Sequence, residues 1–461
     1  MPWTPDIAGA DGPLYQAIAA SILRAIDDGS LAPGERLPSQ RALAQRLGVD
    51  LTTVTRALGL VQQAGRIESE GRRGSFVRHR AIADGGWADA DAGDEAGGMN
   101  MPPEPEDGTL RAAMRAGLTE LLADGRTAPL HYQPSGGTER DRATAAALLS
   151  RIAGPTTAEE AVIAAGGQNA LQAICGALLR PGMPVAAGRM TYPGFLSLAR
   201  HAGARVVPLA MDGEGVLPDA LEEAARREGV RALYVVPTND NPTTATMGAE
   251  RRAAIAAVAE RHDLAIIEDD AYGQLRQRPI PPIAALAPER SWYVASTSKV
   301  LTPGLRVAFV RAPSVAGAMR LAGAIHESAV MAPPLGTALV TGWLRNGSYG
   351  RIMGSIRAEA VARQAIAAGI LGAGRYAADP QGYHLWLPIA DRRQGLEIAG
   401  RCLAMRLPAV ADSAFAVEPD AGGVGALRIS LGGARGRAQL GRELRKLDAL
   451  LAESRRDHAL V

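Results

Sequence analysis

The chain has 461 residues, 47% of them hydrophobic but only 4% aromatic, and a formal net charge of +2. That length exceeds one ordinary core and predicts two or three domains, packed with Ala, Leu, Val and Ile rather than rings. Near-neutrality excludes a basic nucleic-acid coat, so any DNA contact must be local, and the sequence shows neither a run of about 18 apolar residues nor a basic start followed by an apolar block, which predicts a cytoplasmic protein with no membrane partner.

From Pro13 onward, Leu14, Ile18, Ile22 and Ile26 recur at four-residue steps with Leu23 beside them, one apolar helical face that Gly29 ends. Ser39 is placed to cap a helix carrying Leu43 and Leu47, and Gly48 to stop it. Asp50 can cap a third helix with Val54, Leu58 and Val61 inward and Thr52, Thr53, Thr55 and Arg56 nearer the surface. Residues 67–77 read as a hairpin with the basic, glycine-hinged tip Glu70-Gly71-Arg72-Arg73-Gly74. A tight helix pair followed by a basic wing puts one helix in a major groove and the wing on phosphates.

Leu37-Pro38-Ser39-Gln40-Arg41, Leu47-Gly48-Val49, Thr52-Thr53-Val54-Thr55-Arg56-Ala57 and Gly71-Arg72-Arg73-Gly74-Ser75-Phe76-Val77 resemble the GntR-type winged helix. The resemblance implies DNA contacts from Arg41, Thr52, Thr53 and Gly71; Ser39, Arg56 and Arg72 complete the candidate set. Many members of that superfamily carry arginines where this chain has Leu51 and Thr55, a departure at two base-reading positions.

Residues 1–80 are therefore expected to form the winged domain. Residues 81–108 hold eight acidic residues, three prolines and neither Lys nor Arg, which predicts an extended, flexible linker repelled by DNA. Residues 109–461 form the remainder, with a smaller subdomain from about 345 to the end.

In that remainder, short apolar runs at 161–165, 185–187, 206–209, 232–236, 264–267, 293–295 and 307–310 alternate with helical stretches, which predicts an α/β domain with a mostly parallel sheet covered on both faces. The first run leads into Gly166-Gly167-Gln168-Asn169, where glycines let helix-terminal amides approach an anion, although an ordinary strand-to-helix turn reads the same way. The run at 264–267 ends in Glu268-Asp269-Asp270-Ala271-Tyr272, carboxylates at a strand's carboxyl end as at a ligand site. Among 50 basic residues only Lys299 and Lys446 are lysines. A guanidinium is a poor nucleophile, whereas an amine can be deprotonated and condensed with a carbonyl, so Lys299, set in Ser296-Thr297-Ser298-Lys299, marks a site that needs an amine. The two cysteines, Cys175 and Cys402, read as free thiols, and seven histidines without a pair at ligand spacing give no metal site.

Gly167, Tyr192, Asn241, Asp269, Tyr272, Lys299 and Arg306, in that order, resemble the site of the class I aminotransferase family, a similarity that spans residues 130–428. It implies fold type I and pyridoxal 5'-phosphate as cofactor. On the matching positions Lys299, Asp269 and Tyr272 are the catalytic candidates. Lys299 would take the aldehyde and Asp269, rather than Asp270, would keep the pyridine nitrogen protonated. Tyr272 and Asn241 would bond the phenolic oxygen, and Tyr192 would stack on the ring. Gly167, Gln168, Ser296, Ser298 and Arg306 match phosphate-holding positions, and Tyr132 matches, more loosely, a tyrosine lent to a neighbouring subunit. Residues 427–431 alternate as a half-buried strand, and Arg428 there matches the clamp on a substrate carboxylate. Thr244 stands where that family usually has glycine after Asn-Pro-Thr.

The combination resembles the MocR branch of the GntR superfamily. It implies a homodimeric, pyridoxal-phosphate-dependent regulator of amino-acid, amine or vitamin B6 metabolism that binds double-stranded operator DNA; the expected mechanism is that it senses an amino acid, amine or B6 vitamer through aldimine chemistry at Lys299. The alternative is a working aminotransferase with a fused DNA-binding domain.

Overall fold

A computed structural model describes residues 3–5, 13–27, 30–31, 35–63, 66–69, 74–77, 98–123, 128–418 and 425–458. The chain divides into two compact units, Met1–Ala92 and Gly93–Val461.

The first unit contains helices Leu14–Asp27, Gln40–Leu47 and Leu51–Gln63 and the antiparallel strands Ile67–Ser69 and Ser75–Val77. Ile18, Ile22, Leu43, Val54, Leu58 and Val61, spaced three or four apart on their helices, close its core. The tight turn between the second and third helices has local causes. Ser39 Oγ accepts the Ala42 amide at 3.2 Å to start one helix, and Gly48 at φ 64° ends it in the left-handed conformation that glycine tolerates. Asp50 then caps the next helix by accepting the Thr52 amide at 2.8 Å, a bond that holds its carboxyl below the usual range. Gly71 and Arg72, at the expected wing tip, lie outside the described residues.

The second unit is built on a seven-stranded sheet in the order Ala161–Ala164, Ala308–Arg311, Ser291–Ser296, Ala265–Asp269, Ala232–Val235, Pro184–Gly188, Arg205–Leu209. Each apolar run read from the sequence is one of its strands. The sheet is parallel except for Ala308–Arg311, which is antiparallel to both neighbours. Alternate residues face opposite ways: Val185 and Ile267 join a core with Ile174, Phe195 and Leu321, while Ala186 and Ile266 join one with Leu221 and Ile255. Helices on both faces therefore bury the strands, the edge strand Arg205–Leu209 only in part, which is why their middles are continuously apolar.

Toward the C-terminus a second, antiparallel sheet places Gly425–Ser430 between His384–Ile389 and Ala409–Ala411. The strand holding Arg428 differs from the half-buried strand expected. All six residues are buried, with Leu427 and Ile429 in the apolar core and Arg428 and Ser430 enclosed on the other face. The strand's exit is held by Arg363, which donates to the carbonyls of Leu431 at 2.8 Å and Arg435 at 2.7 Å and pairs with Glu359 at 2.7 Å. Cys175 and Cys402 are buried free thiols.

Residues 81–97 of the expected linker lie outside the described residues. Residues 98–108 do not run free: Pro103 bridges Gly433, and Asn100 is 2% exposed. The acidity that suggested a solvated stretch lies before and after a short uncharged segment, Met99 to Pro103, of which Asn100, Pro102 and Pro103 are buried in the second unit.

Glu359→Ala removes the carboxylate opposite a fully buried guanidinium. Its urea midpoint is expected to fall by an amount equivalent to about 3 kcal/mol, whereas an exposed pair such as Arg227–Glu223 is expected to contribute about 0.5 kcal/mol or less.

Candidate functional site

The parallel strands deliver their carboxyl ends to one edge of the sheet, and the loops leaving that edge line a cavity of about 540 Å³. Gly167, Gln168, Tyr192, Asn241, Asp269, Tyr272, Ser296, Ser298, Lys299, Arg306 and Arg428 all border it. The strand Ala265–Asp269 ends at Asp269, and Ser291–Ser296 runs out into Ser298 and Lys299. Thus residues scattered over more than half the chain meet because strands end together.

The two adjacent carboxylates separate by pleat. Asp269 lines the cavity and accepts from Tyr234 Oη at 2.9 Å, while Asp270 turns inward to the Gly273 amide at 2.8 Å and Tyr293 Oη at 2.7 Å. Burial pushes the Asp269 carboxyl up to about 6, opposed by the Tyr234 bond and the nearby Lys299 charge. Burial, reinforced by the Arg428 cation, pulls the Lys299 amine down to about 8, with Asp269 acting in the opposite sense. An amine so placed is neutral in a substantial fraction near pH 8, the form that attacks a carbonyl.

On the glycine-turn side, the helix Gly167–Leu178 begins at the cavity after Gly166 at φ 88°. A Cβ on Gly166 would lie 2.8 Å from Arg306 Nη2, and one on Gly167 would lie 3.2 Å from Ser296 Oγ, so both glycines let the turn close on the basic and hydroxyl side chains. Ser296 and Ser298 Oγ are 2.9 Å apart, as expected for alternate residues of an extended segment. Tyr192 Oη donates to Gln168 Oε1 at 3.1 Å.

Arg428 is 3% exposed, and its guanidinium lies 5.2 Å from the Phe415 ring centre. Its Nη1 donates to Asn241 Oδ1 at 3.0 Å, its Nη2 donates to the Gly98 carbonyl, and its Nε has no partner. Asn100, His384 and Ser430 belong to the same cluster and were not found by sequence reasoning. Asn100 Nδ2 donates to Tyr272 Oη at 2.9 Å, Ser430 Oγ donates to Asn100 Oδ1 at 2.8 Å, and Lys299 Nζ donates to the Asn100 carbonyl. Ser430 carried a signal, since it shares a strand face with Arg428 two residues earlier. Asn100 carried none, because it belongs to what reads as a linker. Tyr132, at 84% exposure, is not among the residues lining the cavity. Thr244 adopts φ 64°, the left-handed region that glycine occupies freely, at a cost of about 1 kcal/mol.

In the first unit, Ser39, Arg41, Thr52 and Arg56 are exposed and Thr53 is partly so. Arg56 packs over the Tyr15 ring at 4.0 Å, Thr52 Oγ1 donates to Asp50 at 2.7 Å, and Thr55 Oγ1 shares its one proton between Gln40 Oε1 at 2.8 Å and the Leu51 carbonyl at 2.9 Å.

Residues 14–77 match bacterial regulatory proteins of the gntR family, and residues 98–348 match aminotransferase class I and II. The chain belongs to both families, in the MocR-type arrangement. This MocR-type protein is 30% identical to the vitamin B6 salvage pathway transcriptional repressor PtsJ of Salmonella typhimurium over 83% of this chain and 87% of that protein. It is 29% identical to the HTH-type transcriptional regulator YdeF of Bacillus subtilis over 68% of each. Its second unit resembles the crystal structure of LysN, the alpha-aminoadipate aminotransferase of Thermus thermophilus complexed with N-(5'-phosphopyridoxyl)-L-leucine, with a TM-score of 0.68 and 25% identity over 79% of this chain and 94% of that one. Regulators of this architecture are DNA-binding proteins, and the cofactor of the fold is pyridoxal 5'-phosphate.

The residues present fit that cofactor. A desolvated amine, a buried carboxylate and a glycine cradle beside Ser296, Ser298 and Arg306 offer partners for an aldehyde, a ring nitrogen and a phosphate.

On cofactor-free protein, borohydride trapping of pyridoxal at Lys299 is expected to titrate with a midpoint near 8. Arg428→Gln should raise the midpoint by removing a cation that opposes protonation, and Asp269→Asn should lower it by removing the anion that favours it. Mass spectrometry of the trapped peptide across pH measures all three.

Proposed function

We propose that the protein is a pyridoxal-phosphate-dependent transcriptional regulator whose second unit senses an amino acid or related amine. The observation that carries this reading is the meeting of Lys299, Asp269 and Arg428 in one cavity at the sheet's carboxyl edge. Pyridoxal phosphate supplies an aldehyde that condenses reversibly with amines. Lys299 would hold that aldehyde through its amine, and the same amine would be placed to give up or take a proton beside it. Asp269, its carboxylate fixed by Tyr234 Oη, would serve the ring nitrogen. Tyr272 and Asn241 would serve the phenolic oxygen, and Tyr192 the ring. Gly167, Gln168, Ser296, Ser298 and Arg306 would hold the phosphate, and Arg428 would receive the effector carboxylate. Tyr132, exposed on its own subunit, reaches the site of a second copy in a homodimer.

The first unit grips operator DNA through Ser39, Arg41, Thr52, Thr53 and Arg56, with Gly71 and Arg72 on the wing. Two heads in a dimer must match half-sites at fixed spacing, so a change between effector-free and effector-bound units alters operator affinity by the usual range of allosteric coupling, about 5- to 150-fold. The relation to the B6 salvage repressor supports a role in amine or B6 metabolism.

A second reading, a working aminotransferase, is favoured by the likeness to an aminotransferase captured with a phosphopyridoxyl amino acid. Steady-state assays with amino-donor and keto-acid panels decide. Turnover of about 1 per second or faster would establish the enzyme, and a spectral response to amines without turnover establishes the sensor.

Lys299→Ala is expected to abolish the visible absorbance of the bound cofactor and the effect of amines on operator binding, read by spectrophotometry and by mobility shift. A Lys299→Ala protein that still answers amines normally would refute the scheme. Arg41→Ala is expected to weaken operator binding several-fold across operator sequences, lower its salt dependence and leave cofactor absorbance unchanged.

A further inference from the structure

The residues that would receive an amino acid already have partners, and those partners come from the chain's own backbone. Gly98 offers its carbonyl to Arg428 Nη2, and Asn100 offers its carbonyl to Lys299 Nζ. Residues 98–100 thus occupy, with two neutral oxygens, the two cationic groups that a carboxylate and an amine-reactive centre require.

Side-chain bonds hold this short segment in place. His384 Nε2 faces the Asp240 carbonyl at 3.1 Å, which can only accept, so Nε2 carries the proton and Nδ1 presents a lone pair. Asn100 Nδ2 donates to that Nδ1 at 3.2 Å and to Tyr272 Oη at 2.9 Å, and Asn100 Oδ1 accepts from Ser430 Oγ at 2.8 Å. Every polar atom of the Asn100 side chain is used. Gly98 is fixed differently. At φ 74°, with Val410 Cγ2 only 2.5 Å from where its Cβ would stand, glycine alone lets the carbonyl reach Arg428. The guanidinium is left incomplete all the same, since its Nε is buried without a partner. A carboxylate forms charge-assisted, often bidentate bonds about twice as strong as those from a neutral carbonyl.

We propose that residues 98–100 are a built-in competitor for the effector's carboxylate: an amine bearing an α-carboxylate must unseat this segment from Arg428 to bind, and an amine lacking one need not. The proposal rests on the amine-sensing reading above and adds to it a specificity determinant, Asn100, and a moving part. The moving part is where the described residues of the second unit begin.

The test uses the full-length, cofactor-loaded protein and two probes that differ only in the carboxylate, 2-aminoisobutyrate and isopropylamine. Binding is followed by the cofactor's visible absorbance, and the segment by hydrogen exchange of the peptide covering 98–104. At equal saturation, 2-aminoisobutyrate should speed exchange in that peptide and isopropylamine should not. Asn100→Ala and Gly98→Ala should each raise the preference for 2-aminoisobutyrate over isopropylamine about 5- to 10-fold, because each weakens the competitor. Unchanged exchange with 2-aminoisobutyrate, or variants that bind it more weakly than wild type, would overturn the proposal and make Asn100 part of the effector's platform, with amine sensing intact. Absorbance indifferent to both probes would overturn amine sensing and this proposal together.

Discussion

A lysine amine withdrawn from water between one carboxylate and one guanidinium is the constraint on which the second unit depends. Lys299 can be reactive only if it is desolvated, and desolvation is tolerable only because Asp269 opposes it and polar oxygens meet its protons. The sheet exists, in functional terms, to end its strands at one edge so that these groups arrive together. The small antiparallel sheet contributes the remaining cation, Arg428, from a strand whose exit is anchored by the buried Arg363. A group with five fixed donors needs fixed surroundings, and here they include a ring face, an amide oxygen and a backbone carbonyl.

Much of this was readable from the residues. The seven apolar runs were each short enough and continuous enough to mark buried strands, fully so except at the edge strand Arg205–Leu209, and in a parallel sheet that is what cover on both faces requires. The caps at Ser39 and Asp50 and the stop at Gly48 were legible because each uses a side chain or a backbone freedom that few residues provide. Lys299 stood out through the scarcity of lysine together with its setting after Ser296-Thr297-Ser298. Asp269 could be preferred to Asp270 only by resemblance, since alternation tells that neighbours point oppositely without telling which one faces the ligand.

What escaped the sequence depends on long-range neighbours. Arg428 looked like a residue of a half-buried strand because its own face is covered by Asn241, Phe415 and Gly98, all remote in the chain. Asn100 was hidden by composition: the acidic and proline-rich context that predicts solvation says nothing of the few residues within it that pack. Thr244 is the reverse case. A residue that departs from the family's glycine was visible as an oddity, and the backbone resolves it by keeping the glycine-like φ and accepting the strain.

The recognition-helix threonines constrain what the first unit can read. Thr52 commits its hydroxyl proton to Asp50, and Thr55 shares its single one between Gln40 and the Leu51 carbonyl. Each can then meet a base edge only through lone pairs or a methyl group. Guanine turns only acceptors toward the major groove, so it is the base these two positions serve least; the amino groups of adenine and cytosine and the methyl of thymine suit them better.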